Sequence, residues 1–175
     1  MLDFGQKWEP ASFDETGFAN TDTLNLVRAP SRQILMVSGN VGRGLASLGI
    51  TTHPLGATDV IVEEPYAVAL ARDKCLAVVP SATSVEEGWH PDGYAVTDAT
   101  DGYIGFDISG AGLSGLLKRA TALDWSQPTR SSAISFGHAT VVTAFLRDRD
   151  SIRLLIETPM VPSILLWIKT TIENR

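Results

Sequence analysis

Hydrophobic and polar residues alternate in two pairs of segments, and each pair flanks a short turn that contains Arg-Asp. The first pair is YAVALARDKCLAVV, residues 66–79, and the second is ATVVTAFLRDRDSIRLLIE, residues 139–157. Alternation with a period of two is typical of β-strands with one buried face, and a short polar turn between two such strands predicts an antiparallel hairpin. The sequence therefore predicts one hairpin in each half of the chain.

A second pattern also occurs twice, upstream of each hairpin. Residues 34–49, ILMVSGNVGRGLASLG, and residues 105–120, GFDISGAGLSGLLKRA, both contain an apolar strand, Ser-Gly, a glycine-rich turn and a Gly-Leu pair that opens a helix. Gly39 and Gly110 occupy equivalent positions in the two segments. Each half is thus predicted to run β-α-β-β, and the second half continues into an apolar helix, residues 161–173, with proline in its first turn, where the missing N–H costs little.

These patterns predict an α+β protein with two similar halves in one compact domain. The first half covers residues 23–92 and the second half covers residues 93–175. Between the two repeated patterns, SATSVEEGWHPDGYAVTDATDG, residues 81–102, predicts a short acidic helix followed by a crossing loop.

The first 22 residues have neither a helical nor a strand period and are rich in Gly, Pro, Asp and Asn, which predicts an extended N-terminal arm. The arm contains the aromatic residues Phe4, Trp8 and Phe13, more than a solvated tail usually carries. Two alternatives remain open, a frayed terminus and an arm laid on a partner.

Composition narrows the classes of partner. The chain has 175 residues, 44% apolar and 19% charged, with a formal net charge of -6, so it lacks the clustered Lys and Arg that phosphate neutralisation needs. No apolar run reaches the roughly 20 residues that span a bilayer, and the N-terminus lacks the order of a signal peptide. We therefore expect no nucleic-acid partner, no membrane and a cytoplasmic location.

The turn after residue 109 matches the G-x-G-x-x-G fingerprint of dinucleotide-binding proteins, with glycines at Gly110, Gly112 and Gly115. A dinucleotide fold would follow its helix with a buried parallel strand, but residues 126–132, SQPTRSS, are polar and contain proline. The equivalent turn in the first half does not match the fingerprint. The simplest interpretation is that the glycines serve a sharp turn from strand to helix.

No group of residues has the pattern of a catalytic or metal site. Cys75 could act as a nucleophile with His138 as its base. Cys75, however, falls in a hairpin strand where an apolar side chain is expected. One cysteine and three scattered histidines have no zinc-like spacing and allow no internal disulfide. We predict no catalytic, cofactor-binding or metal-binding residues in this chain.

The acidic residues are also interpreted structurally. Glu63 and Glu64 precede a proline in what we take to be a solvated loop. Asp98 and Asp101 flank a turn suited to hydrogen bonds from aspartate side chains to backbone N–H groups, and Asp124 follows the second helix.

Four stretches resemble the γ subunit family of heterotetrameric sarcosine oxidase. They are LARDKCLAVV, VTDATDGYIGFDISGAG, LLKRATALDW and FGHATVVTAFLRDRDSIRLLIETPMVPSILLWI, within a resemblance that extends from Leu24 to Ile172. The chain departs from the family at Cys75, where a Trp is usual, at Thr121, where a Cys is common, and at the start of the last helix. The resemblance therefore does not identify the amine substrate, and relatives act on other N-methyl amino acids such as N-methylglutamate.

The resemblance implies a fold related to the folate-binding domain of glycine-cleavage aminomethyltransferases, built from two ferredoxin-like halves. It also implies a cofactor-free subunit of a complex whose larger subunits hold flavins, NAD and folate. Such a complex oxidatively demethylates a secondary amine in one-carbon metabolism. Apolar surface on the isolated chain would then be buried by a partner subunit or by self-association.

Two other functions compete with this interpretation. A stand-alone tetrahydrofolate-binding module would need a concave site with a carboxylate for the pterin ring and cations for the glutamate tail, for which Asp124, Arg119, Arg130 and Arg147 are the candidates. A small NAD-dependent enzyme would use the turn at Gly110, against which the polar segment after the helix argues.

Overall fold

A computed structural model describes residues 23–81, 83–147 and 149–173. The predicted arm, residues 1–22, lies outside the described residues. The described part contains two β-sheets and three α-helices, which confirms the predicted α+β class. The helices are α1 (Val41–Ser47), α2 (Leu113–Ala120) and α3 (Val161–Glu173). The strands are β1 (Asn25–Arg28), β2 (Gln33–Gly39), β3 (Val60–Ile61), β4 (Tyr66–Ala71), β5 (Lys74–Val79), β6 (Gly88–His90), β7 (Tyr94–Asp98), β8 (Tyr103–Ser109), β9 (Ala133–Phe136), β10 (Ala139–Leu146) and β11 (Ser151–Glu157).

Both predicted hairpins and both strand-to-helix units are present. β4 pairs with β5 and β10 pairs with β11, each antiparallel. β2 leads into α1 and β8 leads into α2, each through a Ser-Gly pair. The first sheet has the order β4-β5-β2-β7-β6, and the second has the order β1-β8-β11-β10-β3 with β9 also paired to β10.

The prediction of an acidic helix after the first hairpin is wrong. The chain instead forms the hairpin of β6 and β7, with Pro91, Asp92 and Gly93 at its turn. Proline, aspartate and glycine are favoured in turns because they preset φ, bond their own backbone or accept a positive φ. β7 then pairs with β2, so residues interpreted as a crossing loop complete a sheet.

Each sheet contains strands from both predicted halves of the chain. β1 pairs with β8 and β3 pairs in parallel with β10, so two strands from the first part of the chain lie in the second sheet. β7, which begins at Tyr94, lies in the first sheet. The two halves are therefore joined by backbone hydrogen bonds as well as by side-chain packing.

The two sheets pack face to face, with helices on their outer faces. Along β2, Ile34 faces the layer between the sheets, whereas Leu35 and Val37 face α1. Along β11, Leu155 faces the layer between the sheets, whereas Leu154 packs with α2 and α3. Each sheet is thus covered on both faces, which explains why β5 is buried at every position after its first.

Candidate functional site

A cleft of about 770 Å³ lies beside α2. One wall is the turn before α2 and the exposed side of that helix, and the other wall comes from the loop after α2 and from the end of β10 with the turn that follows. Its volume is in the range of small-molecule sites. The lining residues are Gly110, Ala111, Leu113, Ser114, Leu117, Lys118, Leu123, Asp124, Trp125, Ser126, Phe145, Arg149 and Asp150.

The glycine turn at the edge of the cleft is used for backbone packing. Gly110 has a φ of +112°, and a Cβ there would lie 2.5 Å from the carbonyl oxygen of Thr23. That carbonyl accepts a hydrogen bond from the N–H of Gly112 at 2.8 Å. Gly39 in the first half repeats the geometry, with a φ of +88° and a would-be Cβ 2.5 Å from the carbonyl oxygen of Gly93. In both halves a glycine lets the backbone of a neighbouring segment approach the turn closely.

The strand order around this turn is not that of a dinucleotide fold. β8 lies between β1 and β11, both antiparallel to it, and the strand that follows α2, β9, is antiparallel to β10. A dinucleotide fold requires a parallel strand beside the glycine-turn strand. The prediction that a hairpin follows α2 is confirmed.

An aromatic group lines the cleft wall opposite α2. The rings of Trp125 and Phe145 meet edge to face with centroids 5.4 Å apart, a favourable geometry for aromatic pairs. The guanidinium of Arg149 lies 5.8 Å from the centroid of the Phe145 ring, within cation–π range. The indole N–H of Trp125 is buried and has no hydrogen-bond acceptor in the described part of the chain.

Charged side chains of both signs lie around the cleft. Lys118 and Arg149 are exposed, and so is Asp124. Asp124 accepts hydrogen bonds from the hydroxyl of Ser126 at 2.7 Å and from its backbone N–H at 2.9 Å, and these bonds lower the pKa of the Asp124 carboxyl. The cleft therefore offers two carboxylates, Asp124 and Asp150, and two cations around an apolar wall.

The cations proposed for a folate module do not gather at this cleft. Arg119 is exposed on α2 and Arg130 is exposed in the loop before β9, but neither lines the cleft. Arg147 donates from Nε to the backbone carbonyl of Val62 at 3.0 Å. Of the residues predicted for a folate site, Asp124 lines the cleft and the three arginines do not.

Sequence reasoning missed the two cations that do line the cleft, Lys118 and Arg149. Lys118 could have been found from helix geometry, since it lies four residues after Ser114 on the same side of α2. Arg149 has no such signal, because its position depends on a left-handed backbone with a φ of +61° in the β10–β11 turn.

Cys75 and His138 are not brought together. Cys75 is fully buried on β5 in the layer between the first sheet and α1, and burial raises the pKa of its thiol to about 12. His138 is exposed in the turn between β9 and β10 of the second sheet. A protonated, buried thiol cannot act as a nucleophile at neutral pH.

A smaller depression of about 310 Å³ lies over the junction of the two sheets, with Arg153 and Tyr66 in its wall. Arg153 on β11 donates to both carboxylate oxygens of Asp107, and its Nη1 lies 3.3 Å from the Tyr66 hydroxyl. Burial is the main cause that raises the pKa of Tyr66, and the hydrogen bonds to Asp107 raise the pKa of Arg153. These side chains hydrogen-bond to one another and form a structural cluster between the sheets.

Two expectations about acidic residues have different outcomes. The turn at Asp98 is confirmed, since the N–H of Thr100 donates to Asp98 Oδ1 at 2.8 Å, and hydrogen bonds from Thr100 lower the pKa of this carboxyl. Glu64 is not simply solvated, because its carboxylate accepts from Arg32 Nε at 2.6 Å and lies 3.8 Å from Arg153 Nη1.

Among the described residues, no group of three or more His, Cys, Asp or Glu side chains could hold a metal ion. No helix in the same part of the chain is long and apolar enough to cross a membrane.

No family model matches the chain. No curated protein matches its sequence either. Among solved structures, the chain is similar to a chain of the heterotetrameric sarcosine oxidase from Corynebacterium sp. U-96, solved in complex with pyrrole 2-carboxylate, with a TM-score of 0.68. The two chains share one fold. The match covers 91% of this chain and 89% of that chain at 12% sequence identity, and the two-half α+β architecture predicted from the sequence is confirmed.

Proposed function

We propose that this chain is a cofactor-free, γ-type subunit of a heterotetrameric flavin-dependent complex that oxidises sarcosine or a related N-methyl amino acid. The observation that carries the proposal is the fold shared with one chain of heterotetrameric sarcosine oxidase along nearly the whole length of both chains. A match that covers about nine-tenths of each chain is expected if the two chains are equivalent subunits.

The side chains support a structural role in such a complex. Cys75 is buried and protonated, and His138 lies exposed on the other sheet. Arg153, Asp107 and Tyr66 bond to one another. Among the described residues, the candidate nucleophile and base therefore lie apart, and the buried polar side chains have structural partners.

Exposed apolar side chains support contact with a larger protein. Trp89 on β6 is 72% exposed, and Leu166 on the outer side of α3 is 63% exposed. β6 is an edge strand of the first sheet, and exposed edges and tryptophans are common at protein interfaces. In this proposal, the large subunits cover these positions in the cytoplasm and hold the flavins, NAD and folate.

The test is affinity purification of the chain from its own host. The tag is placed at the C-terminus so that the N-terminal residues stay native, and the eluate is examined by mass spectrometry, by its absorbance spectrum and by sarcosine-dependent formaldehyde formation. We expect larger subunits, a flavin spectrum and turnover of sarcosine or another N-methyl amino acid.

A colourless eluate that contains this chain alone would contradict the proposal. Titration with tetrahydrofolate would then test the stand-alone folate module, with the charge-reversed Lys118→Glu variant as the binding-defective control and Arg119→Glu as the control outside the cleft. Binding that Lys118→Glu weakens and Arg119→Glu does not would support that module.

A further inference from the structure

The cleft beside α2 has the size and the apolar wall of a site for a small molecule. Its volume of about 770 Å³ lies within the range of roughly 300–1,000 Å³ that such sites occupy. The rings of Trp125 and Phe145 line it with their centroids 5.4 Å apart, and the side chains of Leu117 and Leu123 line it too. An aromatic group of a ligand can pack against this pair of rings.

Charges of both signs line the cleft, and they sum to no net charge. The cations are Lys118 and Arg149, and the carboxylates are Asp124 and Asp150. None of the ion pairs between described residues joins Lys118 or Arg149 to Asp124, so a gap remains between these opposite charges. A ligand with one charge would be attracted by part of this lining and repelled by another part, whereas a zwitterion meets a partner for each of its charges.

One charge of each sign is held in place by its neighbours. The Asp124 carboxylate accepts the hydroxyl of Ser126 at 2.7 Å and its backbone N–H at 2.9 Å, and these bonds lower the pKa of Asp124, so it stays ionised at neutral pH. The Arg149 guanidinium lies 5.8 Å from the centroid of the Phe145 ring, and the backbone N–H of Arg149 donates to the carbonyl of Leu146 at 2.9 Å. Groups positioned in advance lose less entropy when a ligand binds.

We infer that this cleft binds a free, zwitterionic amino acid with an aromatic side chain. The ring of the ligand packs against Trp125 and Phe145. Its ammonium group faces Asp124, and its carboxylate faces Lys118 and Arg149. This inference does not rest on the proposed function, since the site is built from this chain alone.

Isothermal titration calorimetry of the full chain with four small probes tests the inference. The first probe is L-phenylalanine; phenylacetate lacks its ammonium group, phenethylamine lacks its carboxylate and L-alanine lacks its ring. We expect L-phenylalanine to bind most tightly. Loss of either charge should weaken binding about fivefold, the upper range for an exposed ion pair. Loss of the ring should weaken it at least about tenfold, because an aromatic side chain supplies most of the buried apolar area.

A pair of matched variants locates the binding. Asp124→Asn keeps an acceptor for Ser126 but removes the charge, so this variant should bind phenylacetate as tightly as L-phenylalanine. Arg119→Gln is the control, since Arg119 is exposed on α2 and does not line the cleft, and it should keep the wild-type preference.

Three results would overturn the inference. The first is the absence of saturable L-phenylalanine binding at millimolar concentration. The second is equal affinity of the wild-type chain for phenylacetate and L-phenylalanine, which would indicate a simple anion site. The third is an equal effect of Asp124→Asn and Arg119→Gln, which would place the binding outside the cleft.

Discussion

Arg153 on β11 and Asp107 on β8 form a two-pronged ion pair, with Nε 2.8 Å from Oδ1 and Nη2 2.9 Å from Oδ2. The two side chains are only 11% and 18% exposed. The third nitrogen of the guanidinium contacts Tyr66 of the other sheet, so one side chain connects two strands of the second sheet with the first sheet.

We expect Arg153→Met to lower the free energy of unfolding by about 3 kcal/mol, because removing one partner leaves Asp107 as an uncompensated, largely buried charge. The double variant Arg153→Met with Asp107→Leu should recover most of that loss, since both charges are then removed. Urea unfolding of the four proteins of this cycle measures the coupling.

Arg32 provides the control for this cycle. It forms an ion pair with Glu64 at 2.6 Å, but both side chains are about one-third exposed. Arg32→Met should therefore cost at most about 1 kcal/mol. Equal effects of the Arg32 and Arg153 variants would contradict a special role for the buried pair.

Gly110→Ala is expected to destabilise the fold by about 3 kcal/mol. The substitution places a Cβ 2.5 Å from the Thr23 carbonyl oxygen on a backbone with a φ of +112°, and strain and overpacking each cost about 1–3 kcal/mol. Gly102→Ala is the matched control, since nothing lies within 4 Å of its would-be Cβ. Thermal unfolding of both variants checks the difference, and equal melting temperatures would refute it.

We expect saturating NAD to leave the melting temperature of the isolated chain unchanged. A ligand that binds only the folded state must stabilise it, and the antiparallel neighbours of β8 do not form a dinucleotide site. Differential scanning fluorimetry provides the measurement. A concentration-dependent rise of several degrees would show that the turn at Gly110 binds the nucleotide after all.

Cys75 should resist thiol reagents in the native protein. The pKa of its thiol is raised to about 12 by burial, above the value of about 8.5 in an unfolded chain. The folded state therefore holds this proton more tightly, and the stability it contributes is complete below about pH 8.5 and lost as the pH rises toward 12.

Labelling with Ellman's reagent measures this protection at pH 8. Ser135→Cys is the control, since Ser135 is exposed on β9, and it should react at once while Cys75 reacts only on unfolding. Rapid labelling of Cys75 in the folded wild-type chain would contradict its burial. Urea unfolding at pH 8 and pH 10.5 should show lower stability at the higher pH.

Trp89→Ala should weaken assembly with a larger subunit without loss of folding. Because Trp89 is 72% exposed on β6, its removal should change the stability of the chain by no more than about 0.5 kcal/mol. A tryptophan at the centre of an interface contributes about 2 kcal/mol or more, roughly thirtyfold in Kd.

Biolayer interferometry against the purified larger subunits gives the affinity. Thr97→Ala serves as the control, since Thr97 is exposed on the neighbouring strand β7. Unchanged affinity of both variants would place the interface elsewhere on the chain.

Local sequence patterns were sufficient to predict the elements that form within one continuous segment of the chain. The hairpin of β4 and β5, the hairpin of β10 and β11, and the helix α3 follow from hydrophobic period and turn residues. The hairpin of β6 and β7 was missed, because β6 has only three residues and Glu86-Glu87 before it favoured a helix. Its second strand is specified by pairing with β2 instead.

Only part of the lining of the cleft could be predicted from the sequence. Asp124 was singled out as a candidate and does line the cleft, together with the glycine turn. Its partners across the cleft, Phe145 and Arg149, belong to the last hairpin and reach it only because β10 packs under α2. No periodic pattern in the sequence relates residues that are brought together by the packing of distant elements.

The sequence by itself determined the α+β class, the repeated strand-turn-helix unit and the positions of most strands, because hydrophobic period, glycine and proline act over a few residues. The tertiary structure decided which sheet each strand joins, how the two sheets cover each other, and that Arg153 meets Asp107 and Tyr66. Those contacts are made through backbone hydrogen bonds and packing between distant segments, and backbone groups are the same in every residue apart from proline. Which strands pair is therefore set by the burial of whole faces, which only the assembled fold defines.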